Sequence, residues 1–418
     1  AEGLAARGVE VAYLTLRQWP RAEPPAIPGI AVVAVGPPQP LYANGRRRIA
    51  PPMRFGVGVF RHLLRHGGDY DVVHAASFPF FPLLAAALLR PWRGYALVVD
   101  WWEVWSAAYW RSYLGPIRGR VGWLVQWLAA RAPQHAVCYS RLHAGRLRAL
   151  SGREMALTPD PSLIAMGEGS ATEARGERRE KRPRPAPLAC RDGRGAGAEG
   201  KRHDVIRLVR SILPSAAICR QPAATPPFVL FAGRLIPDKN AAAIVPALAR
   251  ARRDAPALRA AIAGDGPERE RIRRAIAAHG LDGAIDLPGF LPQSQFDALL
   301  APATCLVLPS RREGYGLAVL EAAAAGVPSV VVAGPDNAAA EWIEEGVNGA
   351  IAPSAAAADL ASAMLRVHAA GDALRVSTAA WFDRLRAHAD QAPALEATLT
   401  LYRAAAGTRR ARATGETE

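Results

Sequence analysis

The sequence predicts an α/β protein built from two doubly wound, parallel-sheet domains. Three observations carry that expectation. Short apolar runs alternate with helical periodicity through residues 1–157, and again through residues 227–378. Between these halves, residues 172–220 are rich in Arg, Gly, Pro and Ala and nearly free of large apolar side chains, a composition that cannot bury enough surface to fold. Third, residues 309–326 (PSRREGYGLAVLEAAAAG) join an apolar run at 305–308 to another at 327–332 through a glycine turn and an Ala-rich helix. Strand, turn, helix and strand make a βαβ crossover, whose turn sits at the carboxyl end of a parallel sheet. The expected division is therefore a first domain over 1–157, a linker with a disordered basic insertion over 158–226, a second domain over 227–378, and a C-terminal helix and disordered tail over 379–418.

The first half opens mid-pattern. Residues 2–7 read as the last turns of a helix, Gly8 as its cap and 9–16 as a strand. A doubly wound domain begins with a strand and glycine turn, so a further strand, loop and helix of roughly 20–30 residues is expected before Ala1. Strands follow at 30–35, 71–75, 96–100 and 136–139, with helices at 56–66, 81–89 and 141–150, the last ended by Gly152. His74 falls at the carboxyl end of its strand, facing the crevice of such a sheet; a structural histidine fits the pattern equally well. Six of the ten tryptophans (Trp101, Trp102, Trp105, Trp110, Trp123, Trp127) are interleaved with Tyr109, Tyr113, Arg111, Arg118 and Arg120. They read either as a face for a lipid headgroup or glycolipid, or as the aromatic core of a helix pair.

In the second half, strands are expected at 228–232, 258–263, 284–287, 305–308 and 329–333. Helices are expected at 241–252, 268–279, 317–325, 338–345 and 358–368. Ser294 and Asp297 have the spacing of a capping box for a helix running to Ala301.

The glycine turn before residue 317 has the chemistry of an anion site. The first N–H groups of a helix lack intrahelical partners, its dipole favours negative charge, and Gly316 has no Cβ to hold a phosphate off. Glu313 precedes the helix, and Glu321 lies eight residues on, roughly 12 Å along the axis. Two such carboxylates could hold the two ends of an extended ligand through paired sugar hydroxyls; the plain alternative is a loop Glu and a helix-surface Glu. Arg234 and Lys239 flank a neighbouring strand-to-helix loop. A guanidinium fork and an ammonium would together neutralise a diphosphate leaving group without a metal. No loop carries an acidic pair suited to a required cation, since Asp69-Tyr70-Asp71 reads as the lead-in to a strand.

Composition narrows the partners. The net charge of +15 invites nucleic acid, but roughly half of the excess lies within residues 172–220 and no nucleic-acid motif stands out. No apolar run reaches the ~18 residues a membrane span needs, and no stretch reads as a signal peptide. Cys138, Cys190, Cys219 and Cys305 are spaced for neither zinc nor a disulfide framework, which fits a reducing cytoplasm.

Taken in order, Gly233-Arg234-Leu235 with Lys239, Gly264-Asp265-Gly266-Pro267, Leu287-Pro288-Gly289-Phe290 and Glu313-Gly314-Tyr315-Gly316-Leu317 with Glu321-Ala322 resemble the retaining family 4 glycosyltransferases. The likeness is strongest over residues 228–349. It implies the GT-B fold, two Rossmann-like domains facing across a cleft, with the acceptor on the N-terminal domain and a UDP- or GDP-sugar on the C-terminal one. By position, Arg234 and Lys239 resemble the diphosphate pair. Glu313 resembles the carboxylate on donor-sugar hydroxyls, and Glu321 the one on the ribose. Gly233, Gly264, Gly314, Tyr315, Gly316 and Leu317 resemble the donor cradle, Phe290 and Leu291 the place where the base docks. Glu341 matches an acidic residue in a later helix, and His74 the histidine ending an acceptor-domain strand; His74, Glu313, Arg234 and Lys239 are the expected catalytic set. The resemblance further implies transfer to a lipid, saccharide or small-molecule acceptor with retention, no cofactor, no metal, no nucleic acid, and peripheral contact with the inner face of a membrane. Four features depart from the pattern: the N-terminal glycine-rich loop is absent, Pro335-Asp336-Asn337 replaces a paired glycine, the basic insertion replaces a short hinge, and Thr158-Pro159-Asp160 stands where an Asn-Gly turn is common. They leave a catalytically impaired fragment or binding module of the same fold, or a nucleic-acid binder acting through the insertion, as the other classes.

Overall fold

A computed structural model describes residues 1–153 apart from 21, 22, 24, 41, 44 and 45, then 155–157, 206–208, 214, 219–388, 396 and 398–403. The C-terminal half is one six-stranded parallel sheet. From edge to edge its strands are Ile285–Gly289, Arg259–Ala263, Phe228–Ala232, Cys305–Leu308, Ser329–Val332 and Gly349–Ala352. In chain order this is 3-2-1-4-5-6, the doubly wound arrangement, with its switch point between Phe228–Ala232 and Cys305–Leu308. The central strands are apolar runs because helices cover both faces, whereas the edge strand Ile285–Gly289 carries Asp286 and Pro288. Val229, Leu230, Phe231, Leu306, Val307, Val330 and Val331 are all buried.

The N-terminal half is also parallel. Val72–Ala76, Ala96–Trp101, His135–Cys138, Ile206–Leu208 and Met155–Leu157 lie side by side in that order, and Val11–Leu16 pairs with Ile30–Gly36 in a separate two-stranded sheet. Its core gathers Leu63, Leu83, Leu97, Val99, Trp101 and Leu147. Helices Ala50–His66, Phe80–Arg93, Ala107–Leu114, Pro116–Arg131 and Arg141–Ser151 surround the main sheet. No helix among the described residues is long and apolar enough to cross a membrane.

Several expectations are corrected. Ile206–Leu208 is a strand between His135–Cys138 and Met155–Leu157, so the disordered stretch does not run unbroken to residue 220. Cross-strand pairing overrides the composition around it. The rest of the insertion lies outside the described residues, except residue 214 and the stretch from Cys219. Arg220 forks onto Asp383 at 2.6 and 2.9 Å. The tail is not all free either: Glu396 takes Arg7 at 3.1 Å, and Leu399 and Leu401 are buried. Leu401 and Tyr402 share a core with Val98 and Val137 of the N-terminal sheet, whose apolar face needs a covering layer.

The helix expected at 338–345 is only a 3₁₀ turn, Ala338–Trp342. The expected capping box is not one: Pro292 precedes a helix at Gln293–Leu300, so Ser294 lies inside it and Asp297 instead takes the Gln293 amide at 2.8 Å. The tryptophan cluster divides. Trp101, Trp105 and Trp110 are buried, which is the core reading, because their indoles pack on Phe78 and Phe80. Trp102 alone among the six stays more than a third exposed.

Candidate active site

The loops leaving the two strands at the switch point meet. Arg311 donates its backbone N–H to the Asp238 carbonyl at 2.9 Å, and Asn240 Nδ2 reaches the Pro309 carbonyl at 3.4 Å. Between the loops, Lys239 Nζ lies 2.6 Å from Glu313 Oε1. The same carboxylate oxygen accepts from Ser310 Oγ at 2.8 Å. Glu313 also belongs to a two-residue ladder, Arg312–Glu313 beside Asp336–Asn337, so its backbone is fixed before the helix begins.

That helix is Leu317–Ala324, and Gly316 caps its start at φ 88° with no side-chain capping bond. This left-handed conformation suits glycine, and a side chain there would be driven into Ala339. Tyr315 turns its ring inward against Trp342 at 5.2 Å, leaving the backbone of the turn as what faces the crevice. Leu317 is exposed. Farther along, Glu321 is half-buried; burial first, then Asp297, raises its pKa.

The other residues expected at a donor site line the same edge. Gly233 and Gly264 sit at the ends of adjacent strands, and a Cβ on Gly264 would lie 1.8 Å from the Gly233 carbonyl oxygen. Only glycine permits that contact, which leaves the Arg234 side chain exposed at the loop's surface. Gly264 donates its N–H to the Gly289 carbonyl at 2.7 Å, bringing the following Phe290 and Leu291 beside this loop. The Phe290 ring is 82% exposed, an open aromatic face of the kind a planar base stacks on.

His74 does not join this group. It is the middle residue of Val72–Ala76, and its Nε2 lies 3.0 Å from Asp100 Oδ1. Its Nδ1 bonds the Tyr402 hydroxyl. These bonds tie the N-terminal sheet to the returning C-terminal segment.

Sequence reasoning missed the contacts that join the two halves, although it named Glu341. The Arg312 guanidinium lies 4.6 Å from the centres of both the Trp105 and Tyr109 rings, bonds Glu103, and reaches Asp238 at 3.3 Å. Glu341 accepts the backbone N–H groups of Arg141 and Leu142 at 2.9 and 2.8 Å, so a C-terminal carboxylate sits at the N-terminus of an N-terminal-half helix. Arg146 bonds Asp336 and the Pro335 carbonyl, both at 2.6 Å. Glu103 and the Trp102 carbonyl pack directly over Gly314. Apart from Arg312 and Asp238, these partners lie more than 100 positions apart, so no local pattern signals them.

Comparison with known proteins bears on the family and the fold of both halves. The model for group 1 glycosyl transferases matches residues 220–376, and that for glycosyltransferase family 4 matches residues 1–157. An exopolysaccharide phosphotransferase of Streptomyces coelicolor is 38% identical over 138 residues, 32% of this chain and 14% of that protein. An alpha-D-kanosaminyltransferase of Streptomyces kanamyceticus is 30% identical over 141 residues, 34% of this chain and 36% of that one. The matched stretches thus span only 14% of the first relative and 36% of the second. The sucrose-phosphate synthase structure from Thermosynechococcus elongatus superposes with a TM-score of 0.63 at 17% identity, covering 96% of this chain and 91% of that chain; that likeness is one of fold. With one family model on each half, and a parallel α/β sheet in each, the chain belongs to the group 1, family 4-like glycosyltransferases of GT-B fold.

Proposed function

We propose that the protein transfers a sugar from a UDP- or GDP-sugar to a glycan or lipid acceptor, with retention at the anomeric carbon and no required metal ion. The observation that carries this reading is the Lys239–Glu313 pair at the switch point, beside the start of the Leu317–Ala324 helix. A donor diphosphate fits between that helix end, Lys239 and Arg234, whose charges offset the one developing on the leaving group. Glu313 takes hydroxyls of the donor sugar, Glu321 takes those of the ribose, and the base stacks at Phe290 and Leu291. The acceptor approaches from the N-terminal half, across Trp102 and Glu103. In the transfer, the bond from the anomeric carbon to the phosphate oxygen breaks while the acceptor oxygen bonds the same carbon from the same face. The acceptor proton passes to the departing diphosphate. The protein's share is positioning and charge, and exclusion of water by the closed halves. A site that consumes nucleotide sugars of this kind belongs in the cytoplasm.

A panel of nucleotide sugars, followed by NMR of the product's anomeric proton with and without a chelator, tests this reading. Turnover of a UDP- or GDP-sugar to the retained anomer, undiminished by chelation, is expected. An inverted product, or turnover abolished by chelator, would contradict it.

A further inference from the structure

A buried imidazole stands where the two halves meet. His143 lies in the first turn of the Arg141–Ser151 helix and is only 1% exposed. Its Nδ1 accepts the Val104 N–H at 3.1 Å, which leaves the neutral ring's proton on Nε2. That Nε2–H is buried without a hydrogen bond of normal geometry, a deficit native structures rarely carry without a reason. Across the junction it faces the backbone of Glu313. Val104 follows Trp102 and Glu103, whose atoms pack over Gly314. One ring therefore stands between the N-terminal loop at 102–104 and the C-terminal loop that carries Glu313. Arg146 of the same helix and Asp336 of the C-terminal ladder are the charges nearest it, and they pair with each other at 2.6 Å. On the Val104 side Glu103 is held by Arg312, and the Glu313 carboxylate is held by Lys239. Each of these carboxylates already has a cation, so none is free to offset a charge on the ring.

We propose that His143 is a positioning residue for the transfer: its Nε2–H closes onto the Glu313 carbonyl as donor binds, and a proton on Nδ1 breaks the Val104 bond and parts the halves. The inference rests on Glu313 being the donor-sugar carboxylate, and it adds the link that fixes that loop against the acceptor side. A protonated Nδ1 would set one donor against another, since Val104 offers an N–H there. Burial first, then the Arg146 charge, holds the ring's pKa down at about 4 while the halves are together. With the halves apart the ring is hydrated and returns toward its ordinary 6.5. Between those values the open form binds a proton that the closed form does not. Each unit of pH below 6.5 therefore favours opening by about tenfold. The same imidazole thus aligns the site when neutral and releases it in acid.

The test compares the wild type with His143→Gln and His143→Asn, from about pH 7.5 to about pH 5. Small-angle scattering reads the opening, and turnover at saturating nucleotide sugar reads the alignment; saturation keeps the separate titration of Glu321 out of the rate. Circular dichroism checks that each protein stays folded. As pH falls, the wild type should gain radius of gyration and lose about tenfold in turnover. Both variants should stay flat, having no ring to protonate. At neutral pH, Gln sets an amide N–H where Nε2 stood, whereas Asn sets its oxygen where Nδ1 stood. Gln should therefore lose no more than about threefold in turnover and Asn about tenfold, since only Gln reaches Glu313. Calorimetry with UDP and GDP should be unchanged in both, because Glu313 meets the sugar and not the diphosphate. A wild-type radius that does not respond to pH, or variants that expand as the wild type does, would overturn the proposal. So would equal turnover of the two variants at neutral pH. If a variant does not fold, the wild-type scattering series still decides. Expansion confined to the wild type, with no nucleotide sugar turned over, would support the gating role and fault the donor reading alone.

Discussion

The Tyr109 hydroxyl of the N-terminal half donates to Asp238 Oδ2 of the C-terminal half at 2.8 Å, and Arg312 lies against both. The guanidinium faces two rings and bonds two carboxylates from opposite sides of the cleft. Asp238 precedes Lys239 and Arg312 precedes Glu313, so this junction ties the two halves together next to the loops that carry the proposed donor site.

Arg312→Ala should therefore loosen the two halves. Losing a partly buried guanidinium with stacked rings and paired carboxylates costs roughly 2–4 kcal/mol. Small-angle scattering should show a larger radius of gyration, and turnover should fall about tenfold or more as closure is lost. Arg312→Lys should not restore either property, because an ammonium cannot stack flat and reach both carboxylates. An unchanged radius with unchanged turnover would remove the junction from the account.

Glu321 predicts a pH dependence of donor binding. Burial, then Asp297, raises its carboxyl pKa, so as pH falls the charged acceptor for the ribose is lost earlier than for an ordinary Glu. Affinity for the nucleotide sugar, read by calorimetry, should drop about tenfold across that transition, the worth of a hydrogen bond to a charged group. Glu321→Gln should bind weakly at every pH without the transition. A wild-type affinity that stays flat down into the usual carboxylate range would count against the assignment.

His143 predicts an acid limb of stability. Burial first, then the Arg146 charge, lowers its pKa from 6.5 to about 4, and its Nδ1 accepts the Val104 N–H at 3.1 Å. In that interval the unfolded chain binds a proton the native imidazole does not. This contribution is therefore complete above pH 6.5 and is lost as pH falls toward 4. It amounts to about 3 kcal/mol over the whole interval. Urea unfolding across it should show the loss in wild type and a flatter profile in His143→Gln. Parallel profiles for the two proteins would show that His143 is not the group responsible.

Most of the C-terminal half was legible from the sequence because its signals are local. Phe228–Ala232 and Cys305–Leu308 are uninterrupted apolar runs, each closed by a turn, and the observed strands have the expected limits. The strand Ile206–Leu208 was hidden, since three residues in a basic stretch become a strand only through neighbours contributed by other segments. The Pro116–Arg131 helix was obscured for another reason. Its apolar residues lie on both faces, which erases the periodicity that marks a helix. At the site, Lys239 and Glu313 could be named from sequence, but their contact could not. Neither could the Arg312 junction with Glu103 and Tyr109, which forms only once two separately folded halves meet.

The central claim is that Arg234 and Lys239 hold the phosphates while Glu313 holds the sugar. Calorimetry with the free nucleoside diphosphate, run beside steady-state rates with the nucleotide sugar, tests it most directly on Arg234→Ala, Lys239→Ala and Glu313→Ala. Removing either cation should weaken diphosphate binding and cut turnover about a hundredfold or more, as for other groups that stabilise developing charge. Glu313→Ala should lower turnover by a comparable factor, about a hundredfold, yet leave affinity for the free diphosphate nearly unchanged, because that ligand has no sugar to lose. Loss of diphosphate binding in Glu313→Ala, with both cation variants binding normally, would contradict the account.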